Sequence, residues 1–211
     1  RMVYAASSST YGDHPGLPKV EDKIGTPLSP YAVTKYVNEL YADVFYKTYG
    51  VESIGLRYFN VFGPKQDPNG AYAAVIPKFI GQFLNKEDVI INGDGMHSRD
   101  FTFIENVVQA NIKAALSDNT AAVNQIYNCA FGENTNLNEL VEAIKNGLGN
   151  LGIDSSLSKV TNGPNRKGDV QHSLADISKS QELLNYNPVY SFSQGIEQTI
   201  NWFANKIKNN K

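Results

Sequence analysis

Cysteine, long apolar runs and an excess of charge of one sign are all scarce in these 211 residues. The single cysteine, Cys129, excludes an intrachain disulfide framework and a cysteine-rich metal site, and it favours a reducing, cytoplasmic setting. The 19 basic residues nearly balance the 21 acidic ones, so the formal charge is −2 and we expect no nucleic-acid partner. No apolar stretch approaches the roughly 18 residues of a membrane span, so we expect no membrane partner.

Apolar residues are nevertheless plentiful, at 41% of the chain, which is enough to bury a core. An apolar strand is expected at residues 1–6, followed by a long loop over residues 7–30 that is rich in proline and glycine. A helix is expected from Pro30 to Gly50, with Ser29 as its N-cap and an apolar face from Val33 to Phe45. With a strand over residues 51–59, this order indicates a parallel crossover unit.

Helices and strands are also expected to alternate along the rest of the chain. The pattern predicts helices at 73–84, 104–116, 137–148 (capped by Asn136), 177–184 and 193–208, strands at 88–92 and 125–130, and a loop-rich region at 149–163. This alternation predicts an α/β protein.

Tyr31 and Lys35 form the first candidate catalytic pair. They stand four residues apart near the start of the predicted helix, so their side chains should share one face of it. A phenol has a pKa of about 10, and an adjacent cation stabilises the phenolate and favours its use as a base. This spacing occurs by chance in many helices, but Ser7, Ser8 and Ser9 end the preceding strand, where open parallel sheets bind their ligands.

Several longer motifs resemble the extended short-chain dehydrogenase/reductase family, and within it the nucleotide-sugar 4-epimerases, closest to those acting on UDP-N-acetylglucosamine. They span nearly the whole chain in the family's order. The matching stretches are Ala6-Ser7-Ser8-Ser9-Thr10-Tyr11-Gly12, Ser29-Pro30-Tyr31-Ala32-Val33-Thr34-Lys35, Leu56-Arg57-Tyr58-Phe59-Asn60-Val61-Phe62-Gly63, Gly93-Asp94-Gly95, Ser98-Arg99-Asp100-Phe101 and Arg166-Lys167-Gly168-Asp169.

The resemblance implies NAD as cofactor and a catalytic set of Ser7, Tyr31 and Lys35. Tyr31 would take the proton from the sugar 4-hydroxyl, Ser7 would hydrogen-bond the reacting oxygen, and Lys35 would lower the pKa of Tyr31 and hold the nicotinamide ribose. Tyr58 and Phe59 would flank the nicotinamide. Hydride would leave sugar C4 and return to its other face after the 4-keto intermediate rotates.

The resemblance also implies the residues that bind the UDP-sugar. Asn60, Arg99 and Arg166 match positions that bind the diphosphate, for which the arginine fork is well suited. Asp169 would hydrogen-bond the uridine ribose, and residues 90–92, centred on Ile91, would line the uracil pocket. The positions matching members that tolerate an N-acetyl group are Ser8, Asn60, Gln66 and Ala74.

Ser173 extends the argument to substrate specificity. Relatives restricted to plain hexoses carry a bulky tyrosine at this position, and a serine leaves room for an acetamido group. We therefore expect UDP-N-acetylhexosamine as substrate, interconverted between the gluco and galacto forms, with UDP-glucose and UDP-galactose as further candidates. The resemblance also implies a homodimer formed through a helix bundle.

One departure concerns the cofactor. The family begins with a glycine-rich turn that holds the dinucleotide pyrophosphate, and no such turn is found here. The chain is thus expected to be the C-terminal part of a doubly wound parallel (Rossmann-type) sheet with a smaller α/β substrate-binding domain. We assign residues 1–64 and 101–130 to the NAD-binding domain and residues 65–100 and 131–211 to the UDP-sugar-binding domain.

Other functions stay open at this point. A truncated fragment that binds UDP-sugar without catalysis is favoured by the missing glycine-rich turn and disfavoured by the intact Ser7, Tyr31 and Lys35. Another NAD-dependent reaction on a nucleotide sugar is also open. Dehydration is disfavoured because the serine stretch lacks the expected acidic pair, and decarboxylation because no cation can be assigned near the sugar C6.

Overall fold

The computed structural model describes residues 1–68, 74–164 and 170–209. The strands are β1 (Met2–Ser7), β2 (Ser53–Tyr58), β3 (Val61–Phe62), β4 (Val89–Asn92), β5 (Ser98–Arg99), β6 (Thr102–Phe103), β7 (Gln125–Cys129), β8 (Thr135–Asn136) and β9 (Val160–Gly163). The helices are α1 (Pro30–Tyr49), α2 (Val75–Asn85), α3 (Ile104–Leu116), α4 (Leu137–Asn150), α5 (Ser178–Leu184) and α6 (Phe192–Asn209), with short 3-10 helices at Ser8–Tyr11 and Thr120–Ala122. The predicted α/β class is confirmed.

A three-stranded parallel sheet in the order β1-β2-β7 carries the site. The predicted crossover from β1 through α1 to β2 is present. The register aligns Ser7 with Tyr58 and Tyr58 with Cys129, so the three strands finish level with one another. Ligand sites of open parallel sheets lie at such carboxyl ends.

Helix α1 begins and ends as the sequence predicts. The Ser29 hydroxyl accepts a hydrogen bond from the Ala32 N–H at 3.1 Å, Pro30 occupies the first turn, and Gly50 closes the helix in the left-handed conformation. Its buried positions, however, are Ala32, Glu39 and Ala42. The expected apolar face is instead exposed, because small side chains let the backbone of α1 pack closely on the sheet; its exposed members include Val33, Leu40, Tyr41, Val44 and Phe45.

The remaining strands form two-stranded pairs, β3 with β6, β4 with β9 and β5 with β8. The region 149–163 was expected to be loop-rich, and within it the structure adds the short strand β9, which pairs in parallel with β4. Strand β9 reads Val160-Thr161-Asn162-Gly163 and lacks an apolar alternation, whereas β4 alternates buried and exposed residues. Strand β9 therefore owes its extended conformation to backbone pairing with β4 and not to a pattern of its own.

Apolar packing is concentrated in two clusters. The larger cluster joins α2, α4, α6 and β4 and includes Ile80, Ile91 and Leu140. The sheet cluster joins β2 and β7 to α3 and includes Leu56 and Tyr127. A smaller group at the carboxyl end of the sheet contains Tyr11, Phe59, Ala130 and Ala175 and lies under the site. Within the described ranges, no helix has both the length and the apolar character needed to cross a bilayer.

Candidate active site

The end of β1 presents its serines in a fixed arrangement. Ser7 is extended and caps the short helix Ser8–Tyr11. Its hydroxyl oxygen accepts hydrogen bonds from the N–H of Ser9 at 3.2 Å and from the hydroxyl of Ser9 at 2.9 Å. Because Ser7 is the acceptor in both bonds, its own hydroxyl hydrogen can be donated to a substrate oxygen.

Tyr31 and Lys35 lie side by side at the start of α1. The Lys35 ammonium is 5.8 Å from the centroid of the Tyr31 ring, and it donates a hydrogen bond to the backbone oxygen of Ala5 in β1 at 3.4 Å. Tyr31 is 53% exposed. In the part of the chain that is described, the Tyr31 hydroxyl makes no hydrogen bond with Ser7, which lies at the carboxyl end of β1.

A buried ion pair fixes α1 against the sheet behind these residues. The guanidinium of Arg57 in β2 donates to both carboxylate oxygens of Glu39 in α1, at 2.9 and 2.8 Å, and both side chains are almost fully buried. Burial by itself lowers the pKa of Arg57, but the hydrogen bonds with Glu39 and the nearby Tyr11 raise it above its ordinary value. Glu39 stands four residues after Lys35, on the same face as Tyr31 and Lys35, so this pair sets the rotation of the helix that carries them.

Tyr11 links the ion pair to the loop after β1. Its ring lies 4.6 Å from the Arg57 guanidinium, and its hydroxyl donates to Asn128 in β7 at 2.6 Å. Burial raises the pKa of Tyr11 to about 12, so this phenol stays protonated as a donor. The side-chain amide of Asn128 donates in turn to the backbone oxygens of Lys19 and Asp176. The loop is therefore tied to the sheet through side chains.

A cavity of about 180 Å³, the site cavity, opens beside Ser8. It collects residues from the 3-10 helix and loop after β1, from β5, and from the segments that follow β2 and precede α5. Its lining residues are Ser8, Ser9, Tyr11, Gly12, Lys19, Asn60, Arg99, Val170 and Ser173. Four of the predicted substrate-binding residues are thus brought together, namely Ser8, Asn60, Arg99 and Ser173. Ser7, Tyr31 and Lys35 are not among the lining residues, although Ser7 directly precedes Ser8.

Asn60 and Arg99 are held at the cavity by backbone contacts. Asn60 has a φ of 33°, and its side-chain amide donates to the Asp100 backbone oxygen at 3.2 Å. Arg99 donates to the backbone oxygens of Ser98 and Gln171, at 2.9 and 3.1 Å. A left-handed asparagine is uncommon, and here it is stabilised by the bond to the neighbouring strand segment.

Asp100 is a structural residue that the sequence reasoning did not single out. It has no exposed surface, and its carboxylate accepts hydrogen bonds from the N–H groups of Phe131, Gly132 and Ala175. Burial raises its pKa to about 7, although these three donors lower it. Asp100 joins the segment carrying Ser173 to the loop after β7. The signal in the sequence that could have drawn attention to Asp100 is its place in the motif Ser98-Arg99-Asp100-Phe101.

The side chains of two predicted residues are buried away from the cavity. Ile91 is 2% exposed and belongs to the larger cluster, because β4 turns Ile91 inward and Ile90 and Asn92 outward. Within the predicted uracil-binding segment 90–92, Ile91 would therefore contact a base only through its backbone. Phe59 has no exposed surface, so any contact with a nicotinamide would have to come from its backbone.

Three further predicted residues are not among the lining residues of the site cavity. Tyr58 donates its hydroxyl to Asn111 in α3 at 3.0 Å, and burial raises its pKa. Gln66 donates to the Val61 backbone oxygen, while its buried side-chain oxygen has no hydrogen-bond partner among the described residues. Ala74 immediately precedes α2 as its N-cap. Arg166 and Asp169 lie outside the described residues.

Lys19 is a residue of the site cavity that the sequence reasoning did not single out. It lies in the loop after β1, lines the site cavity, and is only 4% exposed. Burial lowers its pKa. Nothing in the sequence marked it, since a lysine between Pro18 and Val20 in a predicted surface loop reads as a solvated charge.

Comparisons with known proteins identify the family to which this chain belongs. A model of the NAD dependent epimerase/dehydratase family matches residues 1–130, more than half of the chain. The chain belongs to this family. The resemblance to extended short-chain dehydrogenases/reductases that the motifs indicated is thereby confirmed.

Members of the epimerase/dehydratase family align over almost all of the chain. It is 37% identical over 206 residues to a putative UDP-glucose 4-epimerase of Methanocaldococcus jannaschii, covering 97% of this chain and 63% of the relative. A UDP-N-acetylglucosamine 4-epimerase from Methanobrevibacter ruminantium M1, solved with UDP-N-acetylmuramic acid, superposes with a TM-score of 0.88 at 40% identity, covering 97% of this chain and 63% of that one. A UDP-glucuronic acid 4-epimerase from Bacillus cereus, solved with UDP-glucuronic acid and NAD, superposes with a TM-score of 0.85 at 29% identity, covering 99% and 62%.

The relatives are longer than this chain. The chain spans 59 to 63% of the length of the first four curated relatives it matches. Their Rossmann-type architecture agrees with the predicted fold, in which these residues form the C-terminal part of a doubly wound parallel sheet.

Proposed function

We propose that this chain provides the catalytic and sugar-binding residues of an NAD-dependent 4-epimerase acting on UDP-N-acetylhexosamine, interconverting the gluco and galacto forms. The observation that carries the proposal is the site cavity, where Ser8, Asn60, Arg99 and Ser173 meet beside the strand end that Tyr31 and Lys35 face. The similarity to a UDP-N-acetylglucosamine 4-epimerase at 40% identity supports it.

Tyr31 is the proposed base. Its half-exposed phenol is open to a ligand, and the Lys35 ammonium beside it favours the phenolate that would accept the proton of the sugar 4-hydroxyl. Ser7 would donate its free hydroxyl hydrogen to the same sugar oxygen as charge develops on it. When the ring is reduced again from its other face, Tyr31 would return the proton to the oxygen at C4.

Lys35 also fits the proposed cofactor. An ammonium has three N–H donors, and one of them is used on the Ala5 oxygen, so others remain for the hydroxyls of a ribose. Tyr31, Lys35 and the segment at Tyr58 and Phe59 would hold the nicotinamide side of NAD. When bound, NAD supplies the acceptor and donor of hydride at sugar C4.

Ser173 carries the substrate preference. It is 9% exposed and lines the site cavity, and its N–H is bound to the Ser98 oxygen, so its small side chain is what borders the ligand space. The hydroxymethyl side chain of Ser173 leaves room for an acetamido substituent, and a tyrosine side chain at this position would fill that room. Arg99 and Asn60 would bind the diphosphate from the same cavity.

Further parts of the proposal concern organisation. In the proposed division, residues 1–64 and 101–130 form an NAD-binding domain and residues 65–100 and 131–211 a UDP-sugar-binding domain. Most members of the sheet cluster lie in the first set of ranges and most members of the larger cluster in the second, while Phe62, Phe101 and Phe103 join the larger cluster and Leu184 and Tyr186 the sheet cluster. The exposed apolar side chains of α1 support a homodimer formed through helices. A cytoplasmic location also belongs to the proposal, supported by Cys129, which is a buried free thiol.

A turnover assay tests the proposed function. Purified protein is incubated with NAD and UDP-N-acetylglucosamine, and formation of UDP-N-acetylgalactosamine is followed by proton NMR. Tyr31→Phe should lower kcat by about 100-fold or more, since a positioned general base contributes about 10²–10⁴. Tyr49→Phe is the matched control, because Tyr49 is exposed at the far end of the same helix, outside the apolar face from Val33 to Phe45, and this variant should retain activity within about twofold of the unaltered protein. Absence of epimer with the unaltered protein refutes the proposal.

A further inference from the structure

Lys19 combines burial with the lack of a counter-charge. Its side chain is 4% exposed, and its ammonium donates to the backbone oxygen of His14. Among the residues that the structure describes, it forms no ion pair. Buried ammonium groups are normally paired, because removal from water costs several kcal/mol per ion. A backbone oxygen offsets only part of that cost, and it uses one of three donors.

The backbone of Lys19 is held inside the protein. Its backbone N–H donates to the Leu174 oxygen, and its backbone oxygen accepts from Asp176 and Asn128. Lys19 is among the lining residues of the site cavity, and because its backbone groups are already bonded, its ammonium is the group left to meet a ligand there. That cavity contains one other cation, Arg99, and no carboxylate among its described lining residues.

Lys19 also borders a second cavity of about 320 Å³, the outer cavity, formed mainly by residues 12–17 and 170–172. Gly12, Lys19 and Val170 line both cavities. Asp13 is the one carboxylate among the described residues of the outer cavity, and it accepts a hydrogen bond from the Thr26 N–H at 2.7 Å. A ligand group lying along Lys19 therefore has space on both sides and meets an ammonium that forms no ion pair with an acidic side chain in residues 1–68, 74–164 and 170–209.

We propose that Lys19 is an anion-binding residue of the site cavity, whose ammonium receives a negatively charged oxygen of the bound nucleotide sugar. The inference rests on the proposed function for the identity of the ligand. In the proposed substrate the diphosphate carries this chemistry, and in the corresponding uronate a carboxylate on the sugar ring carries it as well. An anion beside Lys19 would also offset the loss of hydration that lowers its pKa.

Binding measurements on three ligands distinguish the two sources. Isothermal titration calorimetry with UDP, UDP-N-acetylglucosamine and UDP-N-acetylglucosaminuronate is carried out on the unaltered protein, Lys19→Met and Lys19→Arg. If Lys19 binds a sugar carboxylate, Lys19→Met weakens the uronate by at least about tenfold and leaves the other two within about twofold. If it binds the diphosphate, all three weaken alike. Lys19→Arg should retain more affinity than Lys19→Met in either case, because it keeps the charge.

Lys23→Met is the matched control, because Lys23 is exposed on the same loop. Thermal melting of each variant separates loss of folding from loss of binding. Equal affinities of the unaltered protein and Lys19→Met for all three ligands overturn the proposal, as does a failure of the unaltered protein to bind any of them. Binding without turnover would overturn the epimerase assignment alone and leave the comparison at Lys19 valid.

Discussion

Arg57 and Glu39 form a two-pronged ion pair between the central strand of the parallel sheet and the helix that carries Tyr31 and Lys35. The donor–acceptor distances are 2.9 and 2.8 Å, and the two side chains are 3 and 2% exposed. A bidentate pair of this kind fixes direction as well as distance. The rotation of α1, and with it the face on which the phenol and the ammonium lie, thus depends on a contact eight residues away from Tyr31.

Removing one partner of this pair is expected to destabilise the fold. Glu39→Gln leaves a buried guanidinium without its counter-charge, and we expect the free energy of unfolding to fall by about 3–5 kcal/mol. Urea denaturation followed by circular dichroism measures the change. Asp43→Asn is the control, because Asp43 pairs with Lys47 on the exposed surface of the same helix and should cost no more than about 1 kcal/mol. Equal effects of the two variants would contradict the structural role of Glu39.

Asp100 is expected to make stability depend on pH. Its pKa is about 7 in the folded protein, chiefly through burial, against 3.8 as its ordinary value. Between these values the folded state binds more protons than the unfolded one, so the free energy of unfolding should fall as the pH rises from about 4 to about 7. Asp100→Asn removes this titration. The difference in free energy of unfolding between the unaltered protein and Asp100→Asn should therefore change by at most about 4 kcal/mol between about pH 4 and about pH 7.

Urea unfolding at pH 4.5, 6.0 and 7.5 tests this expectation. In the Asp100→Asn variant the introduced amide NH₂ faces one of the three backbone donors, which adds a cost that does not vary with pH. Asp22→Asn serves as the control at an exposed site. If the free energy of unfolding changes with pH in the same way for the unaltered protein and Asp100→Asn, then Asp100 has the same pKa in the folded and unfolded states and the expectation is contradicted.

Ser173→Tyr is expected to change substrate preference under the proposed function. The phenol would occupy much of a cavity of about 180 Å³ next to the sugar, so the acetamido group would lose its space. We expect the ratio of kcat/KM for UDP-N-acetylglucosamine to that for UDP-glucose to fall by at least about tenfold. Ser173→Ala, which keeps the space, should leave the ratio within about twofold. A uniform loss on both sugars would argue against size exclusion at this position.

Two adjacent isoleucines in β4 provide a test of the core. Ile91 is 2% exposed in the larger cluster, and Ile90 is 53% exposed. Ile91→Ala should lower the free energy of unfolding by about 2–5 kcal/mol, and Ile90→Ala by less than about 1 kcal/mol. Guanidinium denaturation of the two variants measures both values. If Ile90→Ala is the more damaging, the strand has the opposite face in the core.

Elements with strong local signals were predictable from the sequence. Helix α1 was expected because Ser29, Pro30 and Gly50 act on their own neighbours, and α4 because Asn136 caps it through Glu139. Strand β9 was not expected, since its residues carry no alternating pattern and its partner lies about seventy residues away. The side of α1 that packs on the sheet was also not predictable, because periodicity shows that a helix has an apolar side and not which side packs on the sheet.

The sequence by itself determined the α/β order, the capped helix bearing Tyr31 and Lys35, and the motifs that identify the family, because each depends on residues close together in the chain. Only the tertiary structure decided which distant residues meet. It placed Ser8, Asn60, Arg99 and Ser173 around one cavity, turned Ile91 into the core, and buried Lys19 in the cavity wall without a counter-charge. Burial and contact are set by the packing of strands and helices far apart in the chain, which no local pattern records.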